Sequence, residues 1–356
     1  MDPSTDTPRV AGFMMPAEWS PHAATWIAWP HNVTDWPGKF HPIPWVFAEI
    51  VKHLSEVEPV KIIVRDERHE RTVARILHKA DAWRGDISFF HAPTNRCWTR
   101  DSLPTFVVNT QSHRLGAVKW FFNAWAKYED WQDDQAAGVA VAQSTTNLVW
   151  SPKHPQTFQP FVLEGGAIDV NGAGLLLATE ECLLSAVQER NPGAARADYE
   201  EIFYEYLGAE NTIWLAGGIA GDDTHGHIDD VARFVGAKKI VVVVDTDRNA
   251  PHYDILQENV RRLHHYQSVA GGLEIIELPL PHPVVFDGQR LPASYANFYI
   301  ANKKVLVPVF NDKNDRIALN ILQELFPDRD VIGIFCGDLV LGLGTLHCMT
   351  QQQPAI

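Results

Sequence analysis

The sequence predicts an α/β fold assembled from repeated supersecondary modules, and three observations carry that prediction. Short β-branched runs alternate with helix-like stretches along the chain of 356 residues. Most of those runs end in a turn that bears a glycine or an acid. Polar clusters near positions 101, 164, 227, 297 and 348 recur at roughly even intervals, the periodicity of repeated structural units. If each module turns its cluster toward a common axis, residues far apart in sequence meet at one central site. A doubly wound α/β sheet shows the same alternation, and spacing alone does not separate the two.

The elements read in order as follows. KIIVRD (61–66) is a strand leading into the helix-like ERHERTVARILHKA, and ISFFHAP (87–93) leads through NRCWTRD to the strand TFVVN (105–109). VLEGGAIDV (162–170) reads as a strand-like run followed by GLLLATEECLLSAV. NTIWLAG precedes GDDTHGHIDDVARFV and the strand KKIVVVVD; LEIIELPLP precedes SYANFYIANKKVLVPVF; VIGIFCGD precedes the closing GTLHCMTQQQ. No low-complexity linker or charge block interrupts this pattern, so residues 1–356 are expected to form a single catalytic domain.

Composition narrows the function. A hydrophobic content of 46% with 21% charged residues is that of a globular chain. The 30 basic and 44 acidic side chains give a net charge of −14, which disfavours nucleic acid and anionic membranes and suits a small cation. The stretch MDPSTDTPRVAGFMMPAEW has neither a basic apolar leader nor a cleavage-like site, and no segment approaches the length of a membrane span, so a cytoplasmic protein is expected. Four scattered cysteines suggest neither a disulfide framework nor a zinc ribbon. Homo-oligomerisation is left open.

Cys348 follows His347 directly, after Gly342 and Gly344 and before Thr350-Gln351-Gln352. That setting favours a reactive thiol over the buried apolar role expected of Cys97, Cys182 and Cys336. GDDTHGHIDD (221–230) packs Asp222, Asp223, His225, His227, Asp229 and Asp230 beside an apolar strand. Two readings compete there: a metal site built from His225, His227 and Asp229 on one face of a strand, or acid–base work by His227 with Asp229 beside it. Glu164 stands before Gly165 and Gly166, and glycine within a strand marks a close approach of ligand or backbone. Trp98, Arg100 and Asp101 end another apolar strand. The aromatic residues Trp19, Trp26 and Trp29, with Glu18, suggest a segment over the site mouth that faces an ammonium group, although core packing is equally compatible with Trp26 and Trp29.

One thiol, one imidazole and three carboxylates are more acid than a Cys-His amidase needs. The surplus suits a guanidinium, which is planar, permanently charged and matched by carboxylates in bidentate fashion. Such a cation also favours the thiolate when it binds.

Five segments, MPAEWSPHAATWIAWP (15–30), WTRDSLPTFVVN (98–109), EGGAIDVNGAGLLLATEECLL (164–184), GHIDDVARFV (226–235) and LHCMTQQQP (346–354), occur in the order found in one family. Through them the chain resembles the agmatine deiminase / bacterial-type peptidylarginine deiminase family of guanidine-modifying enzymes. The resemblance implies an α/β propeller of five ββαβ-like modules about a pseudo-fivefold axis, with a central active site. It implies that Cys348 is the nucleophile and forms an amidino-cysteine intermediate, that His227 is the acid–base group, and that Glu164 is the acid beside it. It further implies that Asp101 and Asp229 hold the guanidinium, that Trp98 walls the pocket, and that no metal or cofactor is required. The expected reaction converts agmatine to N-carbamoylputrescine and ammonia, a step toward putrescine. The sequence departs from the family where Gly-Gly-Asn-Ile-His-Cys becomes Leu343-Gly344-Thr345-Leu346-His347-Cys348 and Arg-Asp-Thr-Gly-Pro becomes Arg100-Asp101-Ser102-Leu103-Pro104. His225 and Asp230 stand where Asp and Asn are frequent. These changes bear on contacts to the rest of the substrate, and so on the choice among agmatine, free arginine and peptidyl-arginine. The readings from other classes are the metal-dependent hydrolase at His225, His227 and Asp229, and a non-catalytic guanidine- or polyamine-binding protein.

Overall fold

Four sheets of the protein repeat one pairing pattern, and a fifth reproduces it with strands from the two ends of the chain. In the computed structural model, which describes residues 7–270 and 272–356, the first six residues, part of the stretch read for a leader, lie outside the described residues. The four sheets comprise Thr105–Asn109, Arg114–Val118 and Val149–Trp150; Asp169–Val170, Leu175–Thr179 and Asn211–Leu215; Ala232–Gly236, Lys239–Val244 and Glu274–Pro279; and Tyr299–Ile300, Lys304–Val309 and Asp330–Phe335. In each, the first strand is antiparallel to the second and the second is parallel to the third. A parallel pair cannot be joined by a hairpin, so each needs a crossover. The helices Gln132–Thr145, Arg196–Leu207, Tyr253–Ala270 and Lys313–Leu325 supply one per sheet.

The remaining large sheet pairs Gln351–Pro354 antiparallel to His22–Ala28, which runs parallel to Val60–Val64, and Ile87–His91 extends it. The glutamine-rich segment near the C-terminus therefore occupies the place that the first strand holds in the other sheets. Its amides are used: Gln352 Oε1 accepts from Arg100 Nη1 at 2.6 Å, and Gln353 Oε1 accepts from Trp26 Nε1 at 3.1 Å. The fold is thus α/β with five mixed sheets among the described residues, rather than one doubly wound sheet.

Helices pack by the faces that their sequences dictate. Helix Ile43–Ser55 buries Ile43, Phe47, Ile50, Val51 and Leu54, a single stripe at helical spacing, each such side chain stabilising by about 1.5–3 kcal/mol. Helix Glu67–Lys79 is capped by Asp66, whose carboxylate accepts the His69 N–H at 2.8 Å, and buries Val73 and Leu77. Among the described residues no helix is long and apolar enough to cross a membrane.

Two segments differ from their expected strand form. In VLEGGAIDV the strand is only Asp169–Val170, with Val162 in an isolated bridge to Phe121, because Gly165–Ala167 forms a 3₁₀ turn with Glu164 at its start. GDDTHGHIDD is a loop and a 3₁₀ turn, Ile228–Asp230, and not a strand face. Asp222 Oδ2 accepts both the Gly226 N–H at 2.7 Å and the His227 N–H at 3.1 Å, and Gly226 sits at φ +94°, so the chain curls around that carboxylate.

Candidate active site

The polar clusters sit on the turns that lead into the first strand of each sheet. Asp101 lies in the short helix Thr99–Ser102 before Thr105–Asn109, and Glu164 precedes Asp169–Val170. His227 and Asp229 precede Ala232–Gly236, Asn297 precedes Tyr299–Ile300, and Cys348 precedes Gln351–Pro354. The structure brings these five turns together. His227 Nε2 lies 3.6 Å from Glu164 Oε2 and its Nδ1 3.9 Å from Asp101 Oδ1. Cys348 Sγ lies 3.7 Å from Asp229 Oδ2 and 3.1 Å from Asn297 Nδ2.

A cavity of about 240 Å³ opens onto this cluster, lined in part by Trp98, Asp101, Trp125, Asp223, Gly344 and Cys348. Glu164, His227 and Asp229 are fully buried against that lining. Gly344 keeps the wall close, since a Cβ there would crowd Trp98 at 3.0 Å and the Cβ of Cys348 at 3.1 Å. The two glycines after Glu164 also mark close approaches. A Cβ on Gly166 would meet His227 Nδ1 at 2.5 Å, and one on Gly165 would meet the Arg100 carbonyl at 2.3 Å.

Two donors fix Asp101: the Gly166 N–H to Oδ1 and Trp125 Nε1–H to Oδ2, each at 2.9 Å. Burial, reinforced by the negative charges of Asp229 and Glu164, raises its pKa to about 6 against the pull of His227. Burial also pushes Glu164 upward, but Arg190, whose Nε lies 3.1 and 3.3 Å from its two oxygens, and then His227 hold it below the ordinary range. His227 resists its burial and is held well above the ordinary range by Asp101, the Cys182 thiol and Glu164. Burial, Asp229, Asp230 and Asp101 all push the Cys348 thiol upward. Asp230, where the family frequently has Asn, is pushed well above the ordinary range by burial, Asp229 and Asp222.

The site holds buried polar atoms without hydrogen-bond partners among the described residues, an acceptor at Asp229 Oδ1 and both ring nitrogens of His227. Such groups are costly to leave unpaired, and a planar cation carrying several N–H groups answers the carboxylates.

Other expectations fail here. His225 points away, with Nε2 3.1 Å from Ser185 Oγ and φ +66°, so it does not join His227 and Asp229 in a ligand set. The thiol that neighbours His227 and Glu164 is Cys182, read from sequence as plain core; potential ligand atoms of the three lie within 4.8 Å of one another, but Arg190 already engages the carboxylate. Trp19 does not reach the cavity; it packs on the apolar cluster around Tyr295 and Phe298, and its carbonyl accepts from Arg329. Trp26 and Trp29 are core residues. Glu18 lies beneath the site, bound by Arg233 and His347. Sequence reading missed the roles of Arg190, Asn297 and Trp125, and gave none to His347.

A family model described as Porphyromonas-type peptidyl-arginine deiminase matches residues 14–354. The chain belongs to that family. It is 34% identical to the agmatine deiminase of Ectopseudomonas mendocina (strain ymp), covering 99% of this chain and 98% of the relative. It is also 34% identical to the agmatine deiminase of Pseudomonas aeruginosa (strain LESB58), covering 100% and 99%. Among solved structures, the agmatine deiminase of Enterococcus faecalis superimposes with a TM-score of 0.89 at 31% identity, covering 98% of each chain. A substrate-bound C. jejuni agmatine deiminase carrying a cysteine-to-serine substitution gives 0.84 at 30% identity, covering 96% of each.

Proposed function

We infer that the protein is an agmatine deiminase, a hydrolase of the C–N bond in linear amidines that converts agmatine and water to N-carbamoylputrescine and ammonia. The observation that carries this reading is a thiol among Asp101, Asp229 and Glu164 in a narrow cavity, with a carboxylate oxygen of Asp229 left unpaired. Its relatives of known name at full-length coverage bear the same activity.

In this reading Asp101 and Asp229 receive the guanidinium N–H groups and Trp98 walls its plane. The arriving cation offsets the acids that hold the thiol neutral, so Cys348 loses its proton to solvent as substrate binds and attacks as the thiolate. Its Sγ bonds to the guanidinium carbon, and the C–N bond to one terminal nitrogen breaks as His227 passes that nitrogen its proton. Ammonia leaves and an amidino-cysteine remains. His227, now neutral and steadied by Glu164, takes a proton from water as the oxygen adds to the same carbon; the C–S bond then breaks, releasing the ureido product and Cys348. We place the five sheets about a pseudo-fivefold axis and treat residues 1–356 as one catalytic domain. Four free, buried cysteines suit the reducing cytoplasm.

The test is to incubate the protein separately with agmatine, arginine and a C-terminal peptidyl-arginine, and to measure ammonia and ureido product. A cavity of about 240 Å³ admits a slim guanidinoalkylamine more readily than a chain-linked arginine, so kcat/KM should be highest for agmatine. A higher value on the peptide would reverse the assignment.

The same assay has a pH signature. Asp101 must be ionised to attract the guanidinium, and its pKa is raised to about 6. Activity on agmatine, as kcat/KM, should therefore fall as pH drops through about 6, with the loss reversing on return to pH 7. A profile that stays flat to pH 4.5 would remove Asp101 from the binding step.

A further inference from the structure

His347 lies between two buried carboxylates. Its Nδ1 is 2.7 Å from Asp229 Oδ2 and its Nε2 is 2.8 Å from Glu18 Oε2, with the three side chains 2%, 0% and 4% exposed. A neutral imidazole has one N–H and one lone pair, so it would satisfy one carboxylate and turn a lone pair on the other. Only the imidazolium donates to both. Burial opposes ionisation of the two acids, yet Glu18 is held well below the ordinary range by Arg233, His347 and Arg100, and Asp229 is lowered chiefly by His347.

Glu18 is itself anchored. It accepts from Arg233 Nη2 at 2.8 Å and from the Ile300 N–H at 2.8 Å, and it lies 3.6 Å from Arg100 Nη2. Arg233 in turn has Nε 3.5 Å from Asp169. This row of alternating charge runs from the two arginines through Glu18 and His347 and stops at Asp229. At that end Oδ2 is occupied by His347, whereas Oδ1 is buried and unpaired.

We propose that His347, doubly protonated and anchored by Glu18, is a positioning residue that keeps Asp229 ionised and leaves its Oδ1 as the oxygen for substrate. The proposal rests on the reading that Asp229 receives the guanidinium. Without the imidazolium, Asp229 would face the Cys348 thiol, Asp101 and Asp230, with His227 and Arg233 as the main cations acting on it among the described residues. Asp101, whose imidazolium neighbour His227 stands farther off at 3.9 Å, is already raised to about 6 by its burial. Losing the imidazolium would push Asp229 upward as well, so that two carboxyls rather than one would become open to protonation at the site.

The test compares His347→Gln and Glu18→Gln with the wild type on agmatine. We expect KM to rise by about tenfold or more and the acid limb of kcat/KM to move up by about one pH unit, becoming steeper. Adding His347→Gln to Asp229→Asn should cost little further, because both act through one carboxylate. A folded His347→Gln protein that loses kcat with KM and acid limb unmoved would overturn the proposal in favour of packing. Should the variants fail to fold, nitrogen NMR of the histidines in otherwise wild-type Cys348→Ser protein at neutral pH decides. Two protonated ring nitrogens on His347 support the proposal, and a single neutral tautomer overturns it. That readout needs no turnover, so it stands even if agmatine proves not to be the substrate.

Discussion

Cys348→Ser abolishes ammonia release while agmatine still binds: this is the largest effect expected of any substitution in the chain. Burial and the neighbouring acids push the Cys348 thiol upward, and in the proposed mechanism the guanidinium offsets those acids and favours the thiolate. A serine hydroxyl starts several units further from ionisation, and the same cation does not close that gap. A loss of about 10⁴-fold or more in kcat is expected, the scale seen when a nucleophile is removed from a working site. Serine is nearly isosteric and can still accept from Asn297 Nδ2, so the fold and the carboxylates stay in place. Calorimetry should find agmatine bound within a few-fold of the affinity for a slowly turning-over analogue on the wild type. The substrate-bound C. jejuni relative, also a cysteine-to-serine protein, shows such a state in that enzyme. Cys97 and Cys336 lie in the apolar core, so serine there should lower stability and spare the rate. Wild-type turnover by the Cys348→Ser protein would sink the nucleophile assignment.

The candidate site was legible in part because its residues violate local rules. Acids and a histidine placed against apolar strands, two adjacent glycines where a strand seemed to run, and a thiol among polar residues each conflict with a plain core. Those conflicts pointed to Asp101, Glu164, His227, Asp229 and Cys348. The strand reading of residues 162–170 and of 221–230 failed for a related reason. Gly165–Ala167 turns so that the backbone can reach Asp101 and His227, and Asp222 gathers the amides of Gly226 and His227; both are tertiary or loop contacts without a two-residue period. The supporting shell was illegible because its partners are remote in sequence. Arg190 meets Glu164 across 26 positions, Asn297 meets Cys348 across 51, and Glu18 meets His347 across 329. One general signal was available: a buried charge needs a partner, so three acids gathered in one site require cations from elsewhere. Glu18 was noticed but assigned to the mouth, since nothing in the sequence tells which side of the cluster the N-terminal segment passes.

Gly166→Ala should cost about a hundredfold in kcat while changing stability by only ~1–3 kcal/mol, the usual range for one extra methyl in a packed site. The backbone at Gly166 does not lie in the left-handed region, so alanine is compatible with its conformation. The cost comes from the methyl itself, which would stand 2.5 Å from His227 Nδ1, 3.0 Å from its Cε1 and 2.9 Å from Asp101 Oδ1. His227 cannot swing freely away, because Glu164 and Cys182 sit on its other side and the ring is buried. A displacement of about 1 Å takes the imidazole off the departing nitrogen, which is the scale of error that costs about 10²-fold when reacting groups must be aligned. Gly165→Ala is the control that separates position from mere crowding. Its methyl would meet the Arg100 carbonyl at 2.3 Å, a backbone atom, so that variant should lose stability first and measurably lower the melting temperature. Steady-state kinetics paired with thermal unfolding of the two variants read both quantities. A Gly166→Ala enzyme with wild-type kcat would mean that His227 does not act from the position it holds here, and the acid–base assignment would go with it.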